Sequence, residues 1–154
     1  MLTIRHIRHW YEPRLPHVVF LDGLYAGMVG QDDCLLLDAR RGTYDLKVQF
    51  GGCVPIGKSG KSIDMSVSST KQIEISGSGD VEYVFHDRER IWNILFDIDI
   101  IVWVVSWFVQ MPPVYKILSD AFFAVWLVRL VLIRKNYYII TESKNTVDPD
   151  GTKI

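Results

Sequence analysis

Gly52-Cys53-Val54-Pro55-Ile56-Gly57-Lys58-Ser59 carries the Walker A spacing GxxxxGK[ST]. In a working phosphate loop, backbone N–H groups cradle phosphates, the lysine reaches the outer phosphates and the hydroxyl holds Mg²⁺. Gly52, Gly57, Lys58 and Ser59 are therefore the candidate cofactor-binding residues. Such a loop must also feed a helix whose N-terminus faces the anion. Here Gly60–Val67 alternates polar and apolar residues as a strand does. The favoured reading is a long connection between strands with no cofactor, and nucleotide binding is an alternative. The histidines offer less. His6 and His9, three apart, fall on opposite faces of a strand, and His17 and His86 lack sequence neighbours that would complete a metal site. No metal is expected. Cys34 and Cys53 lack CxxC spacing and read as free thiols. Asp148-Pro149-Asp150-Gly151 opens like a calcium loop but lacks its later ligands. No nucleophile–base arrangement stands out, so no catalytic residue is assigned and the chain reads as a non-enzyme.

A second set of chemistry-bearing residues lies in apolar surroundings. Asp97, Asp99, Ser106, Gln110, Lys116, Ser119, Asp120 and Arg129 interrupt two mostly apolar runs, Ile91–Met111 and Val114–Arg134, each 21 residues long. Roughly 20 helical residues span a hydrocarbon core of about 30 Å, and Pro112-Pro113 breaks the helix between the runs. The pattern predicts a transmembrane helical hairpin, with Trp92, Trp107, Tyr115 and Tyr137-Tyr138 placed as an aromatic belt. It also explains a mean hydropathy of +0.13 in a chain with 23% charged residues. On a helical wheel Asp99, Ser106 and Gln110 share one face, and Lys116, Ser119 and Asp120 share another. These faces can meet inside the hairpin. Asp97 and Arg129 point away, which suggests pairing with a second copy or a partner's helices, or snorkelling towards the interface. Arg88, Arg90, Arg134 and Lys135 flank the open side and only Lys116 the closed side. By the positive-inside rule the protein is an integral membrane protein whose N-terminal domain and tail face the cytoplasm. The N-terminus lacks the apolar stretch of a signal peptide.

The elements before the hairpin read as strands. Leu2–Ile7, His17–Leu21, Tyr25–Val29, Cys34–Leu37, Thr43–Phe50, Ser62–Val67, Gln72–Ile75 and Val81–Phe85 alternate with glycine-rich turns. Asp22-Gly23 is the strongest hairpin cue among them, since its turn needs positive φ. The expected fold is mainly β, a small antiparallel β-sandwich, plus a C-terminal two-helix transmembrane hairpin. The expected domains are 1–88 for the sandwich, 89–135 for the hairpin and 136–154 for a polar, disordered tail.

Val18-Val19-Phe20-Leu21-Asp22-Gly23-Leu24-Tyr25-Ala26-Gly27, then Leu35–Asp38 and Arg41-Gly42-Thr43-Tyr44-Asp45-Leu46-Lys47-Val48, resemble the PEGA domain over roughly residues 17–50. Met28-Val29 stands where that pattern usually has Thr-Pro, and Arg41-Gly42 where it has Pro-Gly. The resemblance implies a small β-sandwich appended to membrane or envelope proteins for binding or spacing, with no catalytic residues to carry over. Lys+Arg at 17 against Asp+Glu at 18 gives a net charge of -1 and no basic footprint for nucleic acid. The expected role is a non-enzymatic, membrane-anchored binding or scaffolding module, or an accessory subunit of a membrane complex. Its expected partners are the membrane and either further copies or another membrane protein. A small channel or transporter subunit is a further alternative.

Overall fold

Period-two alternation places the first core residues. In β1 (Leu2–His6) the side chains of Leu2, Ile4 and His6 are buried, and in β2 (His17–Leu21) those of His17 and Val19 are. The computed structural model describes residues 1–10, 12, 15–30, 33–56, 61–75 and 80–143. β3 (Leu24–Val29), β4 (Cys34–Leu37) and β5 (Gly42–Phe50) come next, then β6 (Cys53–Ile56) and β7 (Lys61–Asp64). β8 (Val67–Ile75) and β9 (Val81–Asp87) lead into α1 (Arg90–Val105) and α2 (Pro113–Ile133), and β10 (Tyr138–Ser143) comes last.

The strands form two four-stranded sheets, ordered β10-β9-β1-β4 and β3-β2-β5-β8, plus the ribbon β6-β7. Leu2, Ile4, Phe85, Tyr138 and Ile140 of the first sheet share one core with Val19, Leu46, Val48, Ile73 and Ile75 of the second. The main-chain N–H of Tyr138 donates to Ser69 Oγ at 2.6 Å, joining the sheets where β8 and β10 meet. Asp22 and Gly23 have φ of 50° and 77°, as a two-residue hairpin turn with two positive φ values requires. The N–H of Asp45 donates to Asp22 Oδ1 at 2.8 Å and stitches this turn to β5. Gly27 sits at a bulge opposite Val19, with φ of 152°. A Cβ there would lie 2.8 Å from Leu35 Cδ1 and push the end of that side chain aside, but it is the backbone angle that asks for glycine.

Four expectations are corrected. The fold is mixed α/β rather than mainly β: β1 pairs β9 in parallel, the rest of its sheet is antiparallel, and both helices are built into the sequence between β9 and β10. The parallel pair is possible because β1 and β9 are joined by the whole second sheet, a long crossover. Next, the helical segment is no C-terminal appendage. Tyr138–Ser143, expected in a disordered tail, pairs antiparallel with β9 from Tyr138↔Asp87 to Ser143↔Glu82.

The transmembrane hairpin is also overturned, because no helix among the described residues is long and apolar enough to cross a membrane. α1 has 16 residues, about 24 Å at 1.5 Å each, short of the roughly 30 Å core, and it carries Asp97 and Asp99. The 21 residues of α2 include Lys116, Asp120 and Arg129. With the hairpin goes the fourth expectation: the integral-membrane localisation falls, together with the cytoplasmic placement deduced from that topology.

Candidate functional site

Strands β1, β2 and β9 each carry a polar residue in the core-facing phase at the same end of the sandwich: His6, His17 and Asp87. Glu12, in the connection between β1 and β2, closes over them. His6, Glu12, His17 and Asp87 are each less than a tenth exposed. The His6 ring lies 4.4 Å from that of His17 and 4.7 Å from that of Phe85. Phe50 and Tyr138 flank His17 at 5.4 and 5.3 Å.

The electrostatics of this cluster are uneven. His6 Nε2 approaches Glu12 Oε2 to 3.2 Å, yet neither Glu12 oxygen nor Nδ1 of His17 has an aligned hydrogen-bond partner. Asn93 of α1 bridges the floor, donating from Nδ2 to Asp87 Oδ2 at 3.2 Å and to the Tyr137 hydroxyl at 2.6 Å. Burial, reinforced by the adjacent Glu12 charge, pushes Asp87 up to about 7. Burial raises Glu12 as well, but His6 and His9 outweigh it and hold that carboxyl below its ordinary value. Burial and the neighbouring His6 push His17 down to about 4. Of the two neighbouring carboxyls Glu12 therefore ionises first and Asp87 last, and near neutral pH His17 is neutral. Burial also raises the Tyr138 hydroxyl, aided by Asp87.

Above this floor lies a cavity of about 350 Å³. Its polar base is Glu12, His17, Asp87 and Asn93, and Phe50, Phe96, Trp126 and Leu130 contribute apolar wall. The rings of Phe96 and Trp126 stack across α1 and α2 at 3.9 Å, which fixes that wall.

The polar residues singled out in the helical runs are distributed differently. Ser119, the one buried residue of α2, donates to Asp99 Oδ1 at 2.7 Å, so these two polar faces meet inside the hairpin. Ser106 donates to the Trp103 carbonyl at 2.6 Å. Gln110, Lys116 and Asp120 are exposed. Arg129 pairs within the chain, with Glu89, through Nε at 2.6 Å and Nη2 at 3.1 Å, and its guanidinium lies 4.7 Å from the Trp92 ring. Asp97 lines the cavity, and partial burial raises its carboxyl.

For the Walker A residues, Gly52 precedes β6, while Gly57, Lys58 and Ser59 lie outside the described residues. The next element is β7, paired antiparallel with β6 from Cys53↔Asp64 to Ile56↔Lys61, where a phosphate loop would open a helix. Cys34 is a free, exposed thiol. Among the described residues no group of three or more His, Cys, Asp or Glu side chains converges to hold a metal ion.

Sequence reasoning missed His6, Glu12, His17 and Asp87 as a cluster. The signal present in the sequence was phase: Leu2-Ile4-His6, His17-Val19 and Tyr83-Phe85-Asp87 each put the titratable residue in register with core residues. No family model, curated protein or solved structure matches the chain.

Proposed function

We propose that the chain is a non-enzymatic binding module that assembles with further copies of itself through α1 and α2. The observation that carries this reading is the exposed apolar surface of the helices. Ile98, Ile101, Val128 and Leu132 are 51%, 62%, 61% and 78% exposed, and no residue of α1 is buried. Patches of this kind mark interaction surfaces rather than ordinary scatter of apolar residues. Two helical hairpins meeting about a twofold axis form a four-helix bundle, which buries such faces without a new fold. Ser119 and Asp99 already satisfy one another inside the hairpin, so packing a second hairpin on the outside strands neither. The ion pair of Arg129 with Glu89, the residue that caps α1, ties the two helices together at their base, beside the end of β9, leaving the sandwich at the end of such a bundle.

Sedimentation velocity on the full chain tests this reading. A discrete dimer or higher oligomer is expected, and Val128→Glu with Leu132→Glu should reduce it to monomer with an unchanged circular dichroism spectrum. A monomeric parent protein, or doubly substituted protein of unchanged size, would overturn it. Quantitative recovery in a membrane pellet released only by detergent would do the same.

A further inference from the structure

The cavity at the base of the hairpin offers a ligand little charge. Glu12 is met by His6 Nε2 at 3.2 Å, and its oxygens are sealed from the space. Burial pushes the Asp87 carboxyl up to about 7 and the His17 imidazole down to about 4, so both resist carrying charge. Asp97 is exposed at the rim, and among the described residues no lysine or arginine lines the cavity. One polar group of the lining is unanswered. Tyr138 is 4% exposed, and Asp87 and Glu12 act on its hydroxyl through their charge, not through a hydrogen bond. That hydroxyl has no hydrogen-bond partner among the described residues, and unlike the oxygens of Glu12 it is not sealed from the space. The walls are Phe50, Phe96, Trp126 and Leu130. Aromatic and aliphatic walls around a few placed polar groups are the usual composition of a small-molecule site, and ring faces favour a flat ring against them.

We propose that this cavity binds a small uncharged aromatic molecule, whose ring lies against Phe50, Phe96 and Trp126 and whose polar group meets the Tyr138 hydroxyl. The volume of about 350 Å³ falls at the small end of ligand sites, which suits one ring system with a short substituent rather than a large cofactor. An anion would face Asp97 with no opposing cation. A cation would find Asp97 in solvent at the rim and Glu12 already taken. A bare metal ion would lack a converging set of ligands among the described residues. A neutral ring leaves no charge stranded, covers the apolar walls and gives the Tyr138 hydroxyl a partner. The site lies on the sandwich side of the hairpin, away from the exposed faces of α1 and α2 that carry assembly, and stands independently of it.

Isothermal titration of the full chain with indole, benzothiophene, tryptamine and indole-3-acetate tests the proposal. These share one bicyclic shape. Indole is neutral with an N–H, benzothiophene is neutral without one, and the other two carry an ammonium and a carboxylate. Indole is expected to bind, and benzothiophene to bind about fivefold more weakly, the loss typical of one neutral hydrogen bond. The charged pair should bind at least about tenfold more weakly than indole, since each brings an unmatched charge out of water. Tyr138→Phe keeps the ring and should weaken indole by about fivefold while leaving benzothiophene unchanged. Absence of indole binding, benzothiophene or either charged compound binding as tightly as indole, or a folded Tyr138→Phe protein with unchanged affinity for indole would each overturn it. The ligand series on the unsubstituted protein decides the matter even if Tyr138→Phe fails to fold.

Discussion

Asp87 and His17 hold protons in the reverse of their ordinary order, and this has a consequence for stability. His17 has a folded value of about 4 against an ordinary 6.5. Between those limits the unfolded chain takes up a proton that the folded chain refuses, so this residue makes stability fall as pH falls. Asp87 has a folded value of about 7 against an ordinary 3.8. Between those limits the folded chain keeps a proton that the unfolded chain releases, so this residue makes stability fall as pH rises. The two slopes oppose one another from about 4 to about 6.5 and nearly cancel. Asp87→Asn should therefore uncover the His17 slope, with a melting temperature that drops as pH is lowered from about 6.5 to about 4. His17→Gln should uncover the Asp87 slope, with a melting temperature that drops as pH is raised from about 4 to about 7. The parent protein should vary less than either over the shared interval. Glu12 and His86, both lowered, add slopes in the direction of His17, and Glu12 and His6 face both residues in the cluster. Parallel curves for parent and variants would contradict these protonation states. The strands that carry this cluster were legible in the sequence. The cluster was not, because the contact between His6, Glu12 and His17 depends on where the β1–β2 connection folds back, and residue type and spacing do not specify that.

The helices show how much a wheel and a composition can say. The faces of Asp99 and Ser119 were readable from helical periodicity alone, and they meet at 2.7 Å. The surroundings were not readable. Runs that are apolar on nearly every side look the same in a bilayer, in a bundle or beside a sandwich, and the early end of α1 at Val105 is not marked by any proline or glycine. Arg129 found Glu89 rather than Asp97, because the base of α2 packs where β9 turns into α1. Ser119 is buried at 8% exposure, so its hydroxyl serves as the polar clasp of the hairpin. Ser119→Ala should leave Asp99 without this donor and destabilise the protein by about 1 kcal/mol. Urea unfolding followed by tryptophan fluorescence would measure it, and an unchanged midpoint would show that the clasp contributes nothing.

For the whole molecule, the informative feature is that β9 and β10 are direct antiparallel neighbours although 50 residues separate Asp87 from its partner Tyr138. The N–H of Arg88 donates to the Tyr137 carbonyl at 3.0 Å, extending the pairing by one step. The two chain ends of the helical segment are thus as close as those of a tight hairpin. Replacing residues 89–136 by Asn-Gly, the preferred two-residue turn, should preserve β9–β10 pairing and give a folded sandwich. That shortened protein should be monomeric, since the exposed apolar faces of α1 and α2 leave with the helices. A shortened chain lacking β-sheet circular dichroism would show instead that the helices are required for folding. β10 itself was illegible: Tyr137-Tyr138-Ile139-Ile140 comes directly after an apolar helix, and an aromatic flank reads equally well as an interfacial belt or as an edge strand.

The same arrangement sets an order of events during synthesis. β1 leaves the ribosome first, its neighbour β9 emerges only after the whole second sheet, and β10 comes after both helices. At about 5–20 residues per second, the helical segment occupies the exit for roughly two to ten seconds. Through that interval Tyr83 and Phe85 lack the cover of Tyr138 and Ile140, while the most apolar part of the chain emerges beside them. A chaperone that recognises apolar helices would therefore meet each chain before its own sandwich closes.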